Sequence, residues 1–205
     1  MPEEDEDVPG FWRALGLPGL ADVHVHFLPP RLLRRVWQYF DEAGPLVGVS
    51  WPIRYKWSDA ERVPVVVHAG HAPVGTDNTG PGPFGSLMAR YPDLTAIVGH
   101  LGAPDYGPFL RMAADYERVA LDTTMVFTGF FDKLAPFPAG ALPLARELGV
   151  AGKILLGSDF PNLPYPYARQ LAGLAGIGLG EDWLRAVCWD NPVAMFGLPE
   201  AVGGG

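Results

Sequence analysis

The chain has 205 residues, 48% of them apolar and 19% charged, enough to build one globular domain around a core and too apolar for a disordered segment. Its formal net charge is −8, much of it from Glu3, Glu4, Asp5, Glu6 and Asp7, which argues against a nucleic-acid partner. The one cysteine excludes an internal disulfide. An acidic N-terminus and the lack of an apolar run near the about 18 residues that span a bilayer argue against secretion and a membrane span. A cytoplasmic protein is therefore expected.

Taken in chain order, residues 1–19 form an acidic extension and 200–205 a flexible tail; the acidic residues 1–10 and the closing Gly203, Gly204 and Gly205 are expected to be mobile and without chemistry. Residues 20–199 are the expected domain. There, short apolar runs at 20–27, 64–68, 94–100, 119–122 and 153–157 alternate with helix-like stretches, the mark of βα units. The spacing of Leu32, Leu33, Val36, Trp37 and Phe40 predicts a helix over 31–43, with Pro30 at its start and Gly44 past its end. Further helices are predicted near 82–91, 105–116, 139–148 and 165–175. Two short ones follow within 181–198, the last capped by Asn191 ahead of Pro192.

One junction conflicts with this pattern. Ser58 and Glu61 have the spacing of a capping box that opens a helix, yet Val63, Pro64, Val65, Val66 and Val67 begin a strand two residues later. Either the chain turns irregularly here or an internal segment is missing.

Four of the five apolar runs carry possible metal ligands at or near their C-terminal ends: His24 and His26 on the first, then His68, His100 and Asp159. Strand alternation puts Asp22, His24 and His26 on one face, and residues i and i+2, about 6.7 Å apart, can bring both rings to one ion. In a parallel αβ barrel these strand ends form one shared mouth. Histidines at equivalent places on three strands, with an aspartate on a fourth, point to a metal site rather than to unrelated structural imidazoles.

Weaker candidates surround this set. His71 follows His68 on a loop and is a candidate substrate contact, with a loop hydrogen bond as the alternative. Arg54, among Trp51, Tyr55 and Trp57, is placed to clamp a substrate carboxylate or to sit in a solvated loop. Asp122 either supports the site or caps the Thr123 and Thr124 turn. Residues 75–83 lack the lysine of a phosphate-binding loop and suit a mobile pocket wall. Cys188, beside Trp183, Leu184 and Val187, reads as core rather than nucleophile.

The segments Asp22-Val23-His24-Val25-His26-Phe27-Leu28-Pro29, Val67-His68, Val98-Gly99-His100, Gly157-Ser158-Asp159-Phe160-Pro161 and Asn191-Pro192 to Phe196-Gly197-Leu198 together resemble the amidohydrolase superfamily. They are most similar to its amidohydrolase-related branch, which contains aminocarboxymuconate-semialdehyde decarboxylase. The resemblance covers about residues 20–199 and implies a distorted TIM barrel holding one divalent metal, with zinc expected. It implies His24, His26, His68 and Asp159 as ligands, and His100 as the histidine beside the reacting water. Three neutral imidazoles and one carboxylate leave a positive site able to activate water near neutral pH. His100 could then exchange the proton and Asp159 orient the water. The expected function is metal-dependent hydrolysis of a small amide, ester or lactone. The alternatives are decarboxylation or hydration by the same family, or a truncated remnant that binds metal without efficient turnover.

A full barrel has eight βα units in about 250 residues, and only five are visible here. By the resemblance, His24 and His26 belong to the first strand and His68 to the fifth, which puts the loss of strands two to four near Arg62. The expected fold is therefore α/β, an incomplete (β/α)8 barrel opened into a parallel sheet ordered fifth, sixth, seventh, eighth, first. Its bare edges would favour self-association, and the partner otherwise expected is a small-molecule substrate.

Overall fold

The computed structural model describes residues 2–24, 38, 42, 66, 69–71, 78–92 and 94–198. From residue 81 onward the βα alternation is present. Helix α2 (Pro81–Arg90) starts with proline after Gly80, whose φ of 95° lets the chain turn into it. Strand β1 (Ala96–Val98), helix α3 (Tyr106–Asp115), strand β2 (Val119–Asp122), helix α4 (Leu142–Val150) and strand β3 (Ile154–Leu155) follow, and helix α5 (Ala168–Gly176) comes next. Helix α6 (Glu181–Arg185), a π-helical turn (Ala186–Asp190) and helix α7 (Asn191–Phe196) complete the order.

The sheet is parallel, ordered β1-β2-β3, with Ile97 beside Ala120 and Leu121 beside Ile154. Residues 21–24 continue it past β3: Val23 N donates to Leu156 O at 2.8 Å and Asp159 N to His24 O at 2.7 Å. That is the order expected for the later strands and the first. The π-helical turn contributes carbonyls at this edge, Cys188 O accepting from Ala21 N and Val187 O from Leu156 N, each at 2.9 Å. The strands are buried on both faces, which is why they read as unbroken apolar runs rather than alternating ones.

One face of the sheet, through Val98, Leu121 and Ile154, packs on Phe109, Leu110, Leu148 and Trp183 of the helices. The other face presents Val23, Ile97, Ala120 and Leu155 as a smaller layer, joined by Val66, the one described residue of the run at 64–68. Cys188 is buried in the helix-side core, as expected, and burial pushes its thiol up to about 12. The helix expected over 31–43 lies outside the described residues apart from Gln38 and Glu42, and the junction at 58–63 lies wholly outside them. No helix among the described residues is long and apolar enough to cross a membrane.

Two expectations are corrected. The acidic N-terminus is not a loose tail: helix α1 (Val8–Ala14) leads to a buried Leu17, Arg185 Nη1 donates to Leu15 O, and Asp5 Oδ1 accepts from Ala168 N at 2.9 Å. Asp5 thus caps α5 from across the fold, satisfying a helix-end amide that no local side chain reaches. Asn191 does not cap the last helix either. It lies inside the helical run, and its Nδ2 donates to Gly149 O at 2.7 Å and Ile154 O at 2.8 Å, tying α4 to β3.

Candidate active site

Each strand of the sheet ends in residues with left-handed backbone. After β1 these are His100 (φ 56°), Leu101 (φ 51°) and Gly102 (φ 75°); after β2, Met125 (φ 59°) and Phe127 (φ 69°); after β3, Asp159 (φ 75°). Such backbone is costly outside glycine, on the order of 1–3 kcal/mol for each residue, and clusters where function constrains the chain. Gly102 is required on a second count, because a Cβ there would lie 2.1 Å from the Phe109 ring.

Along the inner face, the residues after Ile97, Ala120 and Leu155 at two-residue spacing are Gly99, Asp122 and Gly157. A Cβ on Gly99 would stand 3.2 Å from His24 Cε1, and one on Gly157 would stand 2.8 Å from His24 Cβ and 2.9 Å from Asp122 Cγ. The two glycines form a slot, and His24 and Asp122 fill it.

Asp122 is fully buried and serves both histidines. Its Oδ2 accepts from His24 Nδ1 at 2.8 Å, and its Oδ1 accepts the backbone amides of His100 and Thr124, each at 3.0 Å. Site support and turn cap, two alternatives in the sequence, are both true of this one carboxylate. His100 Nδ1 donates to Thr124 O at 3.0 Å, its ring stacks on Phe131 with centroids 5.6 Å apart, and it meets the His24 ring edge-on at 5.4 Å.

Burial by itself would lower the pKa of His24, but the charge and hydrogen bond of Asp122, with the charges of Asp159 and Asp22, raise it to about 9. For Asp122 burial acts upward, yet His24, His100 and the Thr124 contact hold it down at about 2. Asp22 faces elsewhere. Its Oδ1 accepts from His24 N at 3.1 Å, and burial lifts its carboxyl to about 7 against the pull of Ser158, His24 N and Tyr167.

Of the residues expected to hold a metal, His24 and Asp159 come together, and His26 and His68 lie outside the described residues, as does Arg54. His24 Nε2 stands 3.6 Å from Asp159 Oδ1. That is close to the roughly 3.4 Å between two ligands of a tetrahedral ion at about 2.0–2.1 Å. With Nδ1 on Asp122, Nε2 is the nitrogen turned toward Asp159, the carboxylate–imidazole arrangement that metal-binding histidines use. Two donors and this support fit a divalent ion, although no group of three or more metal-binding side chains occurs among the described residues. His71 is turned to Asp105, Nδ1 to Oδ2 at 2.5 Å, and lies half exposed against Gly80. The loop hydrogen bond, one of the two sequence alternatives for His71, is therefore present.

A family model described as Amidohydrolase matches residues 50–198. No curated protein matches the chain. Among solved structures, an uncharacterized TIM-barrel protein from Bordetella bronchiseptica aligns with a TM-score of 0.51 and 17% identity over 84% of this chain and 52% of its own. A probable 2-pyrone-4,6-dicarboxylic acid hydrolase from Acinetobacter baumannii, with citric acid bound, aligns with a TM-score of 0.40 and 17% identity over 58% of this chain and 50% of its own. The chain thus spans about half the length of the structures it matches. The first likeness identifies the architecture as an α/β fold of the TIM-barrel kind, here an incomplete barrel.

Proposed function

The chain belongs to the amidohydrolase family, and we propose that it is a metal-dependent hydrolase of a small amide, ester or lactone. The observation that carries this reading is the Asp122-supported His24, its Nε2 facing Asp159 across 3.6 Å with the His100 ring alongside. His24 Nε2 and the Asp159 carboxylate would hold the ion, with His26 and His68 completing the set. When bound, a divalent ion such as zinc supplies Lewis acidity toward water and a carbonyl oxygen. His100 donates from Nδ1 to Thr124 O, so its neutral ring has its lone pair on Nε2. That atom takes the proton from the attacking water and returns it to the leaving group, while Asp159 orients the water. His71, fixed by Asp105, and Arg54 are assigned to the substrate.

A second reading is a remnant that binds metal with little turnover, favoured by the chain's span of about half its structural relative. In both, strands two to four are lost near Arg62, so part of the wall that aligns a substrate is gone. Misalignment of about 1 Å can cost ~100-fold in rate. The zinc-loaded chain should be assayed on amides, esters, lactones and unsaturated carboxylic acids. The expected result is slow hydrolysis that His100→Ala lowers by ~10²–10⁴-fold with zinc stoichiometry unchanged. Decarboxylation alone would identify a carboxy-lyase, and bound zinc with no turnover the remnant.

A further inference from the structure

Gln170, on α5, is fully buried and takes no part in the chemistry above. Its Nε2 donates to Thr123 O at 2.9 Å and to Val126 O at 3.3 Å, and its Oε1 accepts from the Tyr165 hydroxyl at 3.3 Å. The two carbonyls bracket Thr124 and Met125, in the turn that follows β2. Left-handed backbone at Met125 and Phe127 makes this turn unfavourable by itself, so it needs support from outside. α5 supplies that support twice, because Gly173 also lies against the turn: a Cβ there would be 2.2 Å from Phe127 O. The turn in turn carries the Thr124 carbonyl, which accepts from both His100 Nδ1 at 3.0 Å and Val126 N at 2.7 Å.

We propose that Gln170 is a positioning residue for His100: by clamping the carbonyls of Thr123 and Val126 it holds Thr124 O against Nδ1 and so fixes the ring tautomer. A carbonyl can only accept, so a neutral His100 in this contact carries its proton on Nδ1 and its lone pair on Nε2. A turn free to move would release Nδ1, and the ring would shift toward the Nε2–H tautomer that free histidine favours in water. The chemical use of that lone pair rests on the hydrolase reading, whereas its placement does not.

The test is nitrogen NMR of the histidine rings at a pH where His100 is neutral, with its signals assigned by their loss in His100→Gln. The wild-type chain should show a protonated Nδ1 and an unprotonated Nε2. Gln170→Met keeps length and bulk without the amide. It should move His100 toward Nε2–H and speed Nδ1 proton exchange about tenfold, the equivalent of ~1.4 kcal/mol, near the worth of one hydrogen bond. Tyr165→Phe, which removes only the hydroxyl on Oε1, should shift both signals in the same direction by less, and it carries the test if Gln170→Met does not fold. Unchanged His100 signals in the folded variant, or a wild-type ring protonated on Nε2 alone, would overturn the proposal. A purely structural glutamine would lower the melting temperature and leave the tautomer alone. The signals need no turnover, so an inactive chain would count against the hydrolase reading and leave this one standing.

Discussion

Replacing Asp122 with asparagine is expected to destabilise the metal-free protein by on the order of 3 kcal/mol and to weaken zinc binding by ~10–100-fold. Both effects follow from how the carboxylate is shared. Oδ1 holds two backbone amides and Oδ2 holds His24 Nδ1, all inside a site closed to solvent. An asparagine keeps one carbonyl oxygen, which the two amides of His100 and Thr124 claim. Its NH2 group then faces His24 Nδ1, and donor meets donor unless the ring gives up that proton. The relieved state has His24 protonated on Nε2, the nitrogen that faces Asp159, so the lone pair needed for a metal is lost. Chemical unfolding measures the first effect, and zinc titration against a competing chelator the second. An unchanged zinc affinity in a folded Asp122→Asn chain would contradict the assigned role.

The metal-free chain should also be more stable at pH 5 than at pH 9. The pKa of His24 is raised from 6.5 to about 9 on folding. Its protonated form is therefore favoured in the native state, and the stability it contributes is full below 6.5 and lost as pH rises through 9. That loss is on the order of 3 kcal/mol. Asp22 acts in the same direction over a lower range, because its carboxyl is raised from 3.8 to about 7 and its contribution is lost as pH rises through 7. Asp122 acts oppositely. Lowered from 3.8 to about 2, it stabilises above 3.8 and loses that contribution as pH falls through 2. Urea midpoints across this range should peak near pH 4, where the contribution of Asp122 is complete and that of Asp22 begins to fall, and Asp122→Asn should flatten the alkaline limb. A midpoint at pH 9 equal to or above that at pH 5 would exclude the His24–Asp122 ion pair.

How far the sequence reached is clearest at individual residues. The run at 119–122 became β2 with the same bounds, and the helix expected over 82–91 became α2 with each end shifted by one residue. Apolar runs and proline or glycine boundaries are local signals, and they survive folding. The strands came out shorter than the runs at 94–100 and 153–157: left-handed backbone at His100 ends the stretch after β1, and after β3 the chain pairs through Leu156 with Val187 O and Val23 N rather than with β2. That bend had no marker in the sequence beyond Gly99 and Gly157. The acidic N-terminus was misjudged because its anchor is tertiary: Asp5 caps a helix that begins 163 positions later. Asn191-Pro192 has the form of a helix start, but its amide found two carbonyls on other elements instead. Asp122 was legible as a polar strand end, whereas its partner His24, 98 positions away, was legible only as a separate ligand candidate. Gln170 gave no signal, being one polar residue on an otherwise ordinary amphipathic helix.

Zinc-edge X-ray absorption on the zinc-loaded chain shows directly whether these strand ends converge on one divalent ion. One zinc per chain is expected, with nitrogen and oxygen ligands at about 2.0–2.1 Å and imidazole scattering that falls when His24 is replaced by alanine. Zinc lost on dialysis, or a bound zinc whose spectrum lacks imidazole and ignores His24→Ala, would contradict it.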